Sequence, residues 1–307
     1  NQSVKNSISF YIGMLIGAIN TVIIYPNVFK ENPDHLGLIQ IIIAYSVLIA
    51  TFTTFGVPKI FLRFFPVIKQ KGQLYFFALV FPLIGFIFFL LFYLSFKDHI
   101  FLLLNTSPLL QSHFFYIIVL VFFIGFFDIL TSISRSFLSA VTPVFINEVF
   151  LKIYSLITLL LHWYGIIDFP LFIKIYFLGY VIKFLLLFYL QWRSHNLFLE
   201  FSFSNLNIRE FIKFGLFVLC GGASVIIVTR LDMIMIGSLL NLEEVAFYTV
   251  AFFIGNAIKI PARSVVAIAA PLIAKALKEK DYNMIREIYV KSAINLLIIS
   301  GLFFLCL

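Results

Sequence analysis

Long, nearly uncharged apolar runs are the feature that most constrains the fold of this chain. A run of about 20 apolar residues can cross the hydrocarbon core of a membrane as an α-helix. Nine such segments can be marked, at approximately 7–28, 36–65, 74–96, 114–140, 144–163, 170–192, 211–240, 244–276 and 288–307. Charged residues make up only 12% of the chain, about half of their usual share in soluble domains. The sequence therefore predicts an all-α, polytopic membrane helix bundle.

The connections between these segments predict two lobes. The longest connection runs from Gln191 to about Glu210 and follows the sixth segment. We expect an N-terminal transmembrane lobe of six spans over residues 1–195, a cytoplasmic connection over 196–210, and the start of a C-terminal lobe over 211–307. Because the last apolar run still continues at its final residue, the second lobe is expected to be incomplete, with three spans present.

A weak internal repeat favours two lobes of the same orientation. The segment HLGLIQIIIAY…PVIKQKG at the second span is similar to EVAFYTVAFFI…PLIAKALKEKD at the eighth, with matching residues 209 positions apart. Each copy follows a short acidic turn and ends in a basic loop. Parallel repeats of this kind are related by an axis along the membrane normal. We therefore expect the lobes to be pseudo-symmetric.

Lysine and arginine residues predict the orientation, because cytoplasmic loops carry an excess of them. Twelve basic residues fall on one predicted side, namely Lys5, Arg63, Lys69, Lys71, Arg193, Arg209, Lys213, Lys275, Lys278, Lys280, Arg286 and Lys291. The opposite side carries Lys30 and Lys97 together with several acidic residues. The N-terminus is therefore expected in the cytoplasm. In such a chain the net charge of +8 reflects orientation and does not indicate a nucleic-acid partner.

Three stretches carry a family resemblance. They are FYIGMLIGAINTVIIYPNVF with LGLIQ (Phe10 to Gln40), FGVPKIFLRFFP (Phe55 to Pro66) and RLDMIMIGSLLNLEEVAFYTVA (Arg230 to Ala251). The chain resembles the polysaccharide flippases of the multidrug/oligosaccharidyl-lipid/polysaccharide exporter superfamily, the Wzx-type O-antigen and oligosaccharide-lipid transporters. In the third stretch, Ala246 stands where the family usually has glycine.

The resemblance implies a transporter and not an enzyme. It implies flipping of an undecaprenyl-pyrophosphate-linked oligosaccharide across the bacterial inner membrane, by alternating access between two lobes, for O-antigen, lipopolysaccharide or other surface polysaccharide. The implied partners are the lipid-linked oligosaccharide and membrane lipids, with an ion gradient as the candidate energy source. The alternative is a multidrug or lipid II exporter of the same superfamily.

Other function classes lack their sequence features. No glycine-rich loop followed by Lys-Ser/Thr indicates direct use of ATP. The five histidines and two cysteines have no metal-site spacing, so we expect neither a metal nor a cofactor. A polytopic membrane glycosyltransferase or polymerase is the more distant alternative. It would need a sizeable extracytoplasmic loop with catalytic residues, and no connection here is long enough.

Charged residues inside the apolar runs are the candidate functional residues, because a charge near the bilayer centre costs roughly 2.5–3.5 kcal/mol. Lys259 and Arg263 share one face of the eighth span, and Pro261 between them is expected to kink the helix. They are predicted to form a cationic cavity wall that binds a pyrophosphate or an acidic sugar. The alternative is ion pairing with Asp232, which a depth difference of roughly 9 Å disfavours.

The seventh span carries two charges that cannot both face one narrow cavity. Arg230 and Asp232 are two residues apart and therefore point about 200° from each other on an ideal helix. Arg230 is a further candidate for the substrate cavity, whereas Asp232 is a candidate for ion coupling or for local pairing. Gly221 and Gly222, earlier in this span, permit either a hinge or close helix packing.

The fourth to sixth spans add the remaining candidates. Asp128 and Arg135 share a face of the fourth span, and Glu148 and Lys152 share a face of the fifth. Because Arg135 and Glu148 lie at similar depth, an ion pair between them is expected. Asp128, Lys152 and Lys183 are then candidates for the cavity wall, and Asp128 is also a candidate ion-coupling residue.

Overall fold

The computed structural model describes residues 2–103, 106–194, 200–202, 206–258 and 281–305, together with residues 269, 273, 276, 277 and 279. Within these residues, seven helical segments are long and apolar enough to cross a membrane. They are Ile8–Val28, Pro33–Thr54, Lys71–Leu102, Phe114–Ser136, Val141–Trp163, Phe169–Ser194 and Ile208–Leu239. The predicted all-α membrane helix bundle is therefore confirmed.

The helices follow one another with short connections. They are α1 (Gln2–Ala18), α2 (Tyr25–Val28), α3 (Pro33–Thr54), α4 (Val57–Phe64), α5 (Lys71–Leu103), α6 (Pro108–Ser112), α7 (Phe114–Ser136), α8 (Val141–Phe145), α9 (Leu151–Trp163), α10 (Phe169–Ser194), α11 (Ile208–Leu239) and α12 (Leu242–Ile258), then a last helix, Tyr282–Leu305. Two π-helical turns, Ile19–Ile24 and Ile146–Phe150, join α1 to α2 and α8 to α9. Such turns occur frequently at functional sites.

The second predicted segment, 36–65, is two helices and not one. Phe55 and Gly56 have left-handed φ angles of 48° and 70°, which end α3 and start α4 in a new direction. The eighth segment, 244–276, begins as α12, and most of its later part lies outside the described residues. The ninth segment, 288–307, lies in the last helix, Tyr282–Leu305, as far as the described residues extend.

α3 and α7 form the centre of the bundle. In their most apolar stretches 61% and 56% of the residues are buried, compared with 17% in α11. α3 packs against α5, α7 and α11, while α10 packs against α7 and α9. A charged side chain on the inner faces of α7 or α10 is therefore surrounded by protein and not by lipid.

A cluster of aromatic rings fixes α4 at one end of the bundle. The Phe61 ring packs at an angle against Tyr75 with ring centroids 5.3 Å apart, and the Phe64 and Phe211 ring centroids lie 4.6 Å apart. These four rings are buried and join α4 to α5 and α11. This end also carries Lys69 and Lys71, so it is the predicted cytoplasmic end.

The chain divides into two compact units, Asn1–Thr249 and Val250–Leu307. The first unit contains the seven candidate spans and the start of α12, and the second contains the last helix. A lobe boundary at 196–210 stays a prediction, because α11 packs against α3 and α4 within the first unit.

Candidate functional site

A cavity of about 260 Å³ lies between α3, α4, α7 and α11, within the first unit. Its wall comes from the last turn of α3, the first turns of α4, the last turns of α7 and the middle of α11. It therefore lies toward the basic end of the bundle, where α3 and α7 end. Pockets for drug-sized ligands usually measure about 300–1,000 Å³. The cavity is smaller and fits a charged head group better than a whole oligosaccharide.

One face of α7 supplies four polar residues to this cavity. They are Asp128 and the residues three, four and seven positions after it, namely Thr131, Ser132 and Arg135. Residues at these spacings lie on one side of an α-helix. The Asp128 side chain lies deep in the bundle and is nevertheless exposed, because it faces the cavity. Among the described residues no cation lies within ion-pairing distance of its carboxylate. The nearby charges that act on it are those of Lys183 and Arg135.

The break between α3 and α4 brings Lys59 to the cavity. Pro58 lies in the first turn of α4, where its missing N–H group costs little. Gly56 packs on α11 so closely that a Cβ added to it would lie 3.1 Å from the Gly215 carbonyl oxygen. Lys59 is exposed and lines the cavity together with Arg135. The cavity thus contains two cations, one carboxylate and several hydroxyl groups.

The α11 wall of the cavity is apolar. Val218, Leu219, Gly222, Ala223 and Ile226 line the cavity, whereas Gly221 does not. A Cβ added to Gly221 or Gly222 would meet no atom within 4 Å, and α11 is helical through both residues. Among the described residues no neighbouring element packs closely on these glycines, which does not support their interpretation as a site of close packing. Their use as a hinge stays a prediction.

Lys183 lies in a separate buried site between α7, α8–α9 and α10. Its side chain is almost fully buried, with the residue 4% exposed. The ammonium group donates a hydrogen bond to Asn147 Oδ1 at 3.0 Å and lies 4.4 Å and 4.8 Å from the ring centroids of Phe127 and Tyr180. An amide oxygen and two aromatic faces therefore stabilise this charge in place of a directly paired carboxylate.

The expected ion pair between Arg135 and Glu148 is wrong. Glu148 accepts hydrogen bonds from Lys152 Nζ at 2.8 Å and from Asn147 Nδ2 at 3.0 Å, within or beside the π-helical turn. Lys152 is four residues from Glu148 on the same helix, so it satisfies the carboxylate locally. Arg135 is left to line the cavity. Lys152 is thus paired inside the bundle and does not line the cavity described above.

Asn20 extends this buried network to the first span. Its Nδ2 donates hydrogen bonds to the Lys152 carbonyl oxygen at 3.0 Å and to Ser155 Oγ at 3.1 Å. Asn20 lies in the first π-helical turn and is 3% exposed, and its Oδ1 atom has no partner among the described residues. The two π-helical turns therefore each place a polar residue in the same network.

Arg230 and Asp232 face different neighbours, as their separation on the helix requires. Arg230 lies close enough to Tyr180 of α10 for the two groups to interact electrostatically. Asp232 is exposed and accepts a hydrogen bond from the Tyr248 hydroxyl of α12 at 2.8 Å. Neither residue lines the cavity between α3, α4, α7 and α11. Lys259, Pro261 and Arg263 lie outside the described residues.

Three residues of these sites were not among the candidates from the sequence, because the search considered charges in the middle of apolar runs. They are Lys59, Asn20 and Asn147. Lys59 follows the Gly-Val-Pro sequence, and this glycine and proline indicate a helix break that brings a cation inward. Asn20 and Asn147 are neutral, so they cost less in an apolar run and give a weaker signal. A search for amides as well as charges would have included them.

The fold is that of a known transporter class. A solved structure, described as the inward-facing conformation of a multidrug resistance MATE family transporter of the MOP superfamily, matches with a TM-score of 0.72. The match covers 96% of this chain and 71% of that chain at 15% sequence identity, a level that establishes the fold alone. None of the curated proteins compared with the chain matches it.

The sequence also matches a family directly. Residues 3–277 match the family described as polysaccharide biosynthesis protein. The chain therefore belongs to this family, and the family resemblance found in the sequence is confirmed. It is a multi-pass membrane protein with the fold of MOP-superfamily transporters.

Proposed function

We propose that the protein is a flippase that moves an undecaprenyl-pyrophosphate-linked oligosaccharide across the bacterial inner membrane by alternating access. The observation that carries the proposal is the pair of cations, Lys59 and Arg135, in a cavity between membrane-spanning helices. Membership in the polysaccharide biosynthesis family supports the substrate class. The N-terminus lies in the cytoplasm in this proposal, so the cavity is closer to the cytoplasmic side. The products are O-antigen, lipopolysaccharide or a related surface polysaccharide.

The lining of the cavity suits a phosphate head group. Arginine and lysine form charge-assisted hydrogen bonds with phosphate oxygens, and these are about twice as strong as neutral ones. Thr51, Thr54 and Ser132 add hydroxyl groups around the same space. The lipid tail stays in the bilayer while the cations hold the head group. Lys259, Arg263 and Arg230 contribute further positive charge along the path in this proposal, whereas Lys183 is enclosed in its own buried site.

An ion gradient drives the cycle in this proposal. Asp128 and Asp232 are the proposed ion-coupling residues, because both carboxylates are exposed within the helical bundle or at its edge. Pro261, Gly221 and Gly222 are the proposed hinge positions. No resident cofactor is needed, since transport changes no covalent bond.

A multidrug exporter is the second candidate function. The likeness of the fold to a multidrug MATE transporter favours it. The two functions differ in the charge they require of the cavity. Many drugs expelled by exporters are lipophilic cations, which Lys59 and Arg135 would repel, whereas an anionic head group is attracted.

Direct binding distinguishes the two candidates. The purified protein in lipid nanodiscs is titrated with undecaprenyl pyrophosphate, with undecaprenol and with ethidium. We expect the pyrophosphate to bind at least tenfold more tightly than the alcohol, because hydrogen bonds to charged groups contribute about 1.5–3 kcal/mol each. Replacing both cations (Lys59→Gln with Arg135→Gln) removes this preference, whereas Lys174→Gln, at an exposed site on α10, retains it. Preferential binding of ethidium would favour the drug exporter.

A further inference from the structure

The carboxylate of Asp128 and the guanidinium of Arg135 line the same cavity but do not contact each other. They are seven residues apart on α7, or about 10.5 Å along the helix axis. The carboxylate of Asp128 has no hydrogen bond or ion pair among the described residues, although it is exposed to the cavity. An unpaired acid inside a membrane bundle is costly and usually has a functional role.

The charges around Asp128 do not neutralise it by contact. On its own helix the neighbouring charge is Arg135, two turns away, and on α10 it is Lys183. Lys183 is already hydrogen-bonded to Asn147 and enclosed by two aromatic rings. Lys59 faces the same cavity from α4, and the cavity-lining residues of α3 and α11 carry no charge.

A bound phosphate would therefore lie close to a negative charge. A sphere with the volume of the cavity is about 8 Å across. Two unit charges about 8 Å apart, at an effective dielectric constant of about 20, change an affinity by a factor of roughly 30. The carboxylate of Asp128 thus opposes the attraction that Lys59 and Arg135 exert on an anion.

We propose that Asp128 controls the affinity of the cavity for its anionic head group, because the anion binds tightly only when this carboxylate is protonated. The proposal rests on the proposed function and deepens it. Each head group that binds takes up a proton at Asp128, and loss of that proton weakens binding and promotes release. By reciprocity, the bound anion strengthens proton binding at Asp128 by the same factor.

The test compares wild-type protein with Asp128→Asn in nanodiscs, using radiolabelled inorganic pyrophosphate as the probe. Asparagine resembles a protonated aspartate in size and charge. At pH 8 we expect Asp128→Asn to bind pyrophosphate about 30-fold more tightly than the wild type, and we expect this ratio to fall as the pH is lowered to 5. The titration of pyrophosphate itself affects both proteins equally, so the ratio of the two dissociation constants isolates Asp128. Asp98→Asn, at an exposed position of α5 outside the cavity, is the matched control and leaves the ratio at one.

The possible results separate this inference from the proposed function. Equal affinities of wild type and Asp128→Asn at both pH values, or weaker binding by the variant, would overturn the role of Asp128. A ratio that is constant with pH and disappears when sodium replaces choline would also overturn it, since a metal cation would then be the partner. If Lys59→Gln with Arg135→Gln leaves pyrophosphate binding unchanged, the anion site of the proposed function fails instead.

Discussion

Gly222 lines the cavity from α11 and its neighbour Gly221 does not, although an added Cβ would meet no atom within 4 Å at either position. This relationship provides a matched pair of variants. Gly222→Leu places a side chain in a cavity of about 260 Å³ and should reduce head-group binding at least tenfold. Gly221→Leu makes the same chemical change outside the cavity and should leave binding unchanged. Equilibrium binding of undecaprenyl pyrophosphate measures both.

The thermal stability of the two variants provides the control. Replacing glycine in a helix by a residue with a higher helix propensity stabilises it by up to about 1 kcal/mol, and neither position is crowded. Both proteins should therefore unfold at or above the wild-type temperature. Equal loss of binding in both would show that the cavity is not where the head group binds.

The break between α3 and α4, at Phe55 and Gly56, depends on the glycine. Gly56 has a φ of 70°, and an added Cβ would lie 3.1 Å from the backbone oxygen of Gly215. Gly165 has the same φ and nothing within 4 Å. Gly165→Ala should lower the free energy of unfolding by roughly 1 kcal/mol, from backbone strain alone. Gly56→Ala should lower the free energy of unfolding by more, because the neighbouring backbone must also move.

Thermal unfolding in detergent compares these two glycine variants. The Gly56 variant should also bind the head group more weakly, because the break sets the position of Lys59. Equal destabilisation of both variants, with unchanged binding, would mean that the contact with α11 contributes nothing.

Lys183 should be important for stability because of its buried partners. Lys183→Met keeps most of the volume and removes the donor to Asn147 Oδ1. An unsatisfied buried acceptor costs about 1–3 kcal/mol, so the unfolding temperature should fall. Lys174→Met, on the exposed face of the same helix, should have little effect. A variant at Lys183 that is as stable as the wild type would show that the buried site contributes little net stabilisation.

Much of the fold could be predicted from the sequence, because span-length apolar runs have few alternatives in a membrane. The break at Phe55 and Gly56 was not predicted, because the segment 36–65 was interpreted as one span in spite of the Gly-Val-Pro sequence within it. The pairing of Arg135 with Glu148 failed for a different reason. That ion pair was predicted because Arg135 and Glu148 lie at similar depth in the membrane. The prediction did not consider Lys152, which pairs with Glu148 from the next turn of the same helix.

The candidate site was predicted less completely than the fold. Of the charged candidates, Asp128 lines the cavity, whereas Lys183 and Lys152 lie in a buried network with two asparagines. The sequence predicts the depth of a residue in its span, but the helix face that contacts a neighbouring helix depends on packing. The π-helical turn at Ile146–Phe150 rotates the following residues to a different helix face and has no clear sequence signal.

Lys259 and Arg263 are still predicted to line the substrate path. Replacing both by glutamine in a strain that depends on this protein should reduce surface glycan at least tenfold, because two positive charges that hold the head group are lost. Arg286→Gln with Lys291→Gln, in the exposed part of the last helix, is the matched control for charge. Normal glycan display in the first double variant would remove these residues from the path.

Reconstituted transport tests the central claim most directly. The full-length protein is placed in liposomes whose membrane contains a fluorescent undecaprenyl-pyrophosphate-linked oligosaccharide, and a membrane-impermeant quencher reports the lipid exposed outside. With an imposed proton gradient, wild-type protein should move the labelled lipid between leaflets, and Lys59→Gln with Arg135→Gln should move it at least tenfold more slowly. Equal rates in wild-type, double-variant and protein-free liposomes would contradict the account.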